Sequence, residues 1–290
     1  MPIHGKPRTT DLRPWLWGAA LTGRSEHSFP CLRTGRSVVR GKMAKKIVDL
    51  PRVAEVTIEQ VLDEFLTDQQ KRLKPKTFRQ YENVVGLFKN SMNSYAYQSL
   101  TKAEEALFDK YFNAEGSEHR EFCQIFGPDK ILGSLGEFLG YFMIRKVISG
   151  EDLKRTAGTV TKKLSQRLAE KGYVSGEEAK EAAQEGGRAS RDLPKAERAA
   201  RIISLSTQRL AVHPSRLDDE DYIEFDHFVV SRIEPGKLWL EESYGTERFG
   251  PISVPVPATD MLHGGWEISC TLGRIRGKWW IVEMGNIYPS

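Results

Sequence analysis

The chain has 290 residues, 39% hydrophobic and 28% charged, with a formal net charge of +4. That length and balance allow one large core or two ordinary ones and exclude a wholly disordered chain. No apolar run reaches the roughly 18 residues needed to cross a bilayer, so no membrane partner is expected. Cys31, Cys123 and Cys270 lie far apart without CxxC spacing, which points to reduced thiols in a cytoplasmic protein and away from a metal site or cofactor.

Residues 1–42 carry Pro, Gly, Ser, Thr and Arg around PWLWGAAL without periodicity, so the expectation is a disordered extension rather than a domain. The apolar stretch is short for a signal peptide, with Asp11 before it and Arg24 and Glu26 after it. MAKKIVDLPRV opens like an ordinary bacterial N-terminus, which makes translation from Met43 the plainer reading. The extension holds eight basic and two acidic residues. Setting aside its excess of six from the net +4 leaves 43–290 at −2. The overall basicity is thus a weak argument for a nucleic-acid partner, and a phosphate-binding surface has to come from local clustering.

From Thr57 the pattern turns helical. Ile58, Val61, Leu62, Phe65 and Leu66 share one face, and Thr57 with Gln60 has the spacing of a capping box. Pro75 suits the first turn of a second helix that carries Phe78, Tyr81, Val84, Val85 and Phe88 inward, with Arg79 and Lys89 pointing away. Thr101 and Glu104 cap a short third helix. A fourth is expected over 128–147, burying Ile131, Leu135, Phe138, Leu139 and Phe142. Gly133, Gly136 and Gly140 form its glycine stripe, for which tight helix packing is the expected role.

A fifth helix, 150–171, buries Leu153, Ala157, Val160, Leu164 and Leu168 and stops at Gly172. Its other side reads as basic, with Lys154, Arg155, Lys162, Lys163, Arg167 and Lys171. Ser175 and Glu178 then cap an alanine-rich acidic helix ending near Gly186-Gly187, and Pro194 opens a last helix to about 209 that leads out as a linker. After Asp218 short alternating, aromatic-rich segments read as five strands: HFVVSRIE, KLWLEES, ISVPVPA, WEISCTLGRIR and KWWIVEMGNIY. Pro235-Gly236, Gly250-Pro251, Gly264-Gly265 and Gly277 mark the turns. The expected class is therefore α+β, an N-terminal all-α bundle followed by a small β-barrel or rolled sheet. The expected division is 1–42 extension, 57–174 helical domain, 175–217 helical extension and linker, and 218–290 small β domain. That last region has thirteen acidic and six basic residues, a surface that repels phosphate.

The stretch from Thr57 to Met92 holds a helix with Phe65-Leu66, then Leu73-Lys74-Pro75-Lys76-Thr77, then Arg79 and Tyr81. It resembles the start of the core-binding, SAM-like domain of phage integrases and other tyrosine recombinases, and Thr159 to Val174 is similar to that domain's last helix. The resemblance implies a helical module that clasps duplex DNA. Lys74, Lys76, Thr77, Arg79, Arg155, Lys162, Lys163 and Arg167 are the residues it places against the phosphates. The segment over 95–128 is longer than the family pattern.

Recombinase chemistry needs a further catalytic domain, and no catalytic residue is expected here. His213-Pro214-Ser215-Arg216 sits in a Pro-broken linker, and Tyr288 reads as a strand residue. His119 and Cys123 have i, i+4 spacing but lack a second matched pair for a metal. His227 and His263 flank strands, while Trp239, Trp266, Trp279 and Trp280 are expected in the core. The sequence thus reads as a non-enzymatic protein with duplex DNA as partner and a homo-oligomer or protein contact through the β domain. The alternative is a scaffold assembling through the bundle and the β domain.

Overall fold

Thr57 opens α1 (Ile58–Gln70) by a capping box in which its hydroxyl accepts from the Gln60 amide at 3.3 Å and the Gln60 side chain accepts from the Thr57 amide at 2.9 Å. Thr101 and Glu104 open α3 (Lys102–Phe112) the same way, and Pro75 is the first residue of α2 (Pro75–Tyr95). The computed structural model describes residues 51–210, 217–243 and 245–290, all within one contact unit spanning 49–290. The 1–42 extension and the His213–Arg216 element lie outside the described residues.

Ile58, Val61, Leu62 and Phe65 meet Tyr81, Val84, Val85 and Phe88 in one buried cluster. Phe65 stacks on Tyr81 with ring centroids 6.3 Å apart. Phe78, expected inward, is only half-buried. The short α4 (Phe122–Ile125) inserts Phe122, Cys123 and Ile125 into the same core.

The continuous helix expected over 128–147 is broken. The backbone runs through 3-10 turns at Pro128–Lys130 and Leu132–Ser134, α5 (Leu135–Glu137), a π turn at Phe138–Phe142 and α6 (Met143–Arg145). Ile131, Leu135, Phe138, Leu139 and Phe142 are nonetheless buried, so apolar burial holds the segment in place without a regular backbone. The glycines supply the reason. A Cβ at Gly133 or Gly140 would meet nothing within 4 Å, and one at Gly136 only the Glu185 carboxylate at 3.9 Å. No close neighbour offsets the roughly 1 kcal/mol that each glycine costs a helix. The tight packing expected of this stripe is absent.

Tight packing occurs instead between α7 (Glu151–Glu170) and α8 (Gly176–Leu210). A Cβ on Gly186 would stand 2.7 Å from the Lys162 amide nitrogen and 2.8 Å from the Gly158 carbonyl. A Cβ on Gly158 would run into the Ser190 backbone. The expected break at Gly186-Gly187 and restart at Pro194 therefore do not occur: α8 is one helix of 35 residues with Pro194 inside it. Its cost in the helix is about 3 kcal/mol. The helix runs on because α8 is anchored on both sides of the proline. Leu193 packs in the helical core, while Ala196, Ala199 and Ile203 pack on the sheet.

The sheet is antiparallel throughout, in the order β3-β2-β1-β4-β5. Its strands are β1 (Tyr222–Glu234), β2 (Lys237–Glu242), β3 (Arg248–Ser253), β4 (Glu267–Ile275) and β5 (Lys278–Tyr288). The third strand lies upstream of its expected place, and the valine-proline stretch after it forms a helical turn, α9 (Val256–Thr259). Pro255 and Pro257 explain this shift, since proline lacks the donor a ladder needs. The sheet curls without closing into a barrel. Phe249 on β3 reaches Trp279 on β5 with centroids 5.2 Å apart, but no ladder joins these strands. Phe228, Val230, Leu238, Leu240, Ile268 and Leu272 form its inner face under α8. Tyr288, at the end of β5, packs against the helical core. Among the described residues no helix is long and apolar enough to cross a membrane.

Candidate functional site

Gly172, at φ +73°, turns the chain after α7, and Ser175 with Glu178 caps the start of α8 through reciprocal bonds of 3.1 and 3.2 Å. The two helices then run back along each other as a hairpin. Thr159 and Ser190 hydroxyls bond across it at 3.3 Å. Lys154, read from sequence as part of the exposed basic side, is buried and pairs with Glu197 of α8. Arg155, Lys162 and Lys163 do lie exposed on α7.

The second helix of the hairpin carries a row of cations of its own. Arg188, Arg191, Lys195 and Arg198 are exposed on α8 at i, i+3, i+7 and i+10, the spacing of one helix face. Arg155, Arg191, Lys195 and Arg198 line one open cleft of about 470 Å³ between the helices, with Ser190, Pro194 and Met261. Among the described residues its one lining carboxylate, Glu151, is turned to Arg201 at 3.1 Å. Asp152 takes Arg155 at 3.1 Å and Asp192 takes Lys195 at 3.8 Å. Among the described residues no carboxylate pairs with Lys162, Lys163, Arg191 or Arg198.

The other expected contacts fall elsewhere. Lys74, Lys76, Thr77 and Arg79 are exposed at the start of α2. Lys89, expected to point away, bonds Glu59 of α1 and thereby holds that carboxyl below its ordinary range. Arg167 is engaged with Asp68, which also takes Lys71 at 3.5 Å. Lys171 lies 4.0 Å from Glu64. Asp68, Arg167, Glu64 and Lys171 line a groove with Glu55 and Asp63 in which acids outnumber bases, and Arg167 joins α7 to α1 there.

No family model, curated protein or solved structure matches this chain. His119 turns Nδ1 to the Phe112 carbonyl at 2.8 Å while Cys123 faces the core, and among the described residues no three metal-ligating side chains gather. Burial pushes the Cys123 thiol up to about 12. At the end of the sheet His227 Nδ1 meets one oxygen of Glu267, and Ser243 donates to the other at 3.3 Å. The His227–Glu267 contact joins β1 to β4, two strands that also pair through their backbones. Trp266 is buried, and Trp239, Trp279 and Trp280 are half-buried, with Arg232 over Trp239 at 4.7 Å.

The α8 row escaped the sequence reading although its spacing was visible there. Placing helix ends at Gly186-Gly187 and Pro194 split Arg188, Arg191, Lys195 and Arg198 between a helix end, a connection and a linker.

Proposed function

We propose that this chain is a non-enzymatic DNA-binding protein that holds the phosphate backbone of duplex DNA with the exposed face of the α7–α8 hairpin. The supporting observation is that Arg155 of α7 shares one cleft with Arg191, Lys195 and Arg198 of α8, with Lys162 and Lys163 exposed further along α7; Glu151 is turned to Arg201, and of these cations only Arg155 and Lys195 have an acid beside them among the described residues. In this reading 57–174 acts as an integrase-like, SAM-like module, and Lys74, Lys76, Thr77 and Arg79 form an outlying contact. The acid-rich sheet is left for a protein partner or a second copy of the chain, since its excess of acids repels phosphate. Backbone contacts of this kind position a duplex without reading its sequence.

The test is fluorescence anisotropy of a labelled duplex against the full chain between about 50 and 200 mM salt. About five phosphates neutralised by the hairpin contribute about −4.5 to the log–log salt slope. Lys162→Ala/Lys163→Ala reduces the slope by about 2 and weakens binding at each salt concentration. The cationic N-terminal extension is common to parent and variant and cancels in the comparison. Identical slope and affinity in the two proteins reject the reading.

A further inference from the structure

We infer that the cleft between α7, α8 and the segment following α9 binds a small phosphate ester carrying a flat apolar group, a ligand of the nucleoside polyphosphate type. A duplex resting on the hairpin face accounts for the cations that line the cleft but leaves its two apolar lining residues unused. These are Pro194, buried within α8, and the half-buried Met261, whose side-chain type packs well against an aromatic ring. At about 470 Å³ the cleft is within the ordinary range for small-molecule sites.

The charges suit a chain of phosphates better than a single one. Arg191 and Arg198 are separated by about 10.5 Å along the helix axis with Lys195 between them, and Arg155 faces the row from α7. Arg191 and Arg198 have no carboxylate partner among the described residues, so their guanidinium groups are open to bidentate phosphate contacts. Glu151 would oppose an anion, but Arg201 holds it at 3.1 Å. Apolar and cationic side chains lining one cleft together select an amphipathic anion over a bare one.

Isothermal titration of the full chain with ATP in EDTA, and separately with inorganic tripolyphosphate, separates the two contributions. ATP binds about tenfold more tightly than tripolyphosphate, the step expected from one good apolar contact. Arg191→Ala/Arg198→Ala weakens both ligands by about a hundredfold. Met261→Ser abolishes the preference for ATP and leaves tripolyphosphate binding unchanged. Equal affinity for the two ligands in the parent, or undiminished binding in the double arginine variant with native circular dichroism, overturns the assignment. Lys162→Ala/Lys163→Ala lies outside the cleft and keeps parental ATP affinity, so loss of duplex binding there is distinguishable from failure of the nucleotide site.

Discussion

A methyl group at position 158 has no free volume to occupy. Built on Gly158, it would come within 2.5 Å of the Gly186 carbonyl oxygen and 2.6 Å of the Ser190 Cα, all backbone atoms of the facing helix. Ordinary contacts need about 3.5 Å, so α7 and α8 must part by about 1 Å for Gly158→Ala to fit. Overpacking of this kind costs about 1–3 kcal/mol when side chains can give way. Backbone atoms cannot turn aside, which places this site at the top of that range, and alanine's helix preference returns about 1 kcal/mol. The expected net loss is about 2 kcal/mol, read from urea unfolding followed at 222 nm. Gly186→Ala behaves alike, and the double variant costs less than the sum because one separation relieves both clashes. Gly86→Ala is the control: it lies exposed in α2 with nothing within 4 Å and gains about 0.5–1 kcal/mol. A Gly158→Ala protein as stable as the parent would refute the close crossing.

Three further outcomes can be checked with the same protein. A hydrogen bond from Lys130, with help from Thr101, holds the Glu104 carboxyl down at about 2. Because its folded value is depressed, that contribution is complete above about pH 4.5 and is lost as pH falls toward 2. The pair is partly open to water, so Glu104→Gln removes about 1 kcal/mol at neutral pH and flattens the stability profile across that window. Lys154→Met leaves Glu197 uncompensated and destabilises by about 2 kcal/mol in chemical denaturation, below the fully buried range because Glu197 is a third exposed. Adding Glu197→Leu recovers most of the loss, and no recovery would show that the pair carries no charge compensation. Cys123, with its thiol raised to about 12 by burial, stays unreactive to a thiol reagent at pH 8 in native Cys31→Ser protein and reacts once the fold is denatured.

Local signals were legible wherever the cause lies within a turn or two of chain. Thr57 with Gln60, Thr101 with Glu104 and Ser175 with Glu178 each bond across three residues, so helix starts follow from adjacent side chains. The apolar spacing of 58–66 and 150–168 likewise placed the buried faces, and it survived at 131–142 even where the helix itself did not form. The strand-rich end was also readable in outline, with β3 displaced by the prolines that follow it.

Whether a residue meets solvent or a partner depended on contacts across long stretches of chain. Lys154 and Glu197 are 43 residues apart, and Arg167 and Asp68 are 99 apart. Periodicity put both cations on a basic face, while the fold buried one and paired the other with an acid. Glycine behaved the same way, open to space at Gly133 and clamped at Gly158. Periodicity names the side of a helix a residue occupies. Packing decides what stands opposite it, and so brought Arg155 of α7 into one cleft with Arg191, Lys195 and Arg198 of α8.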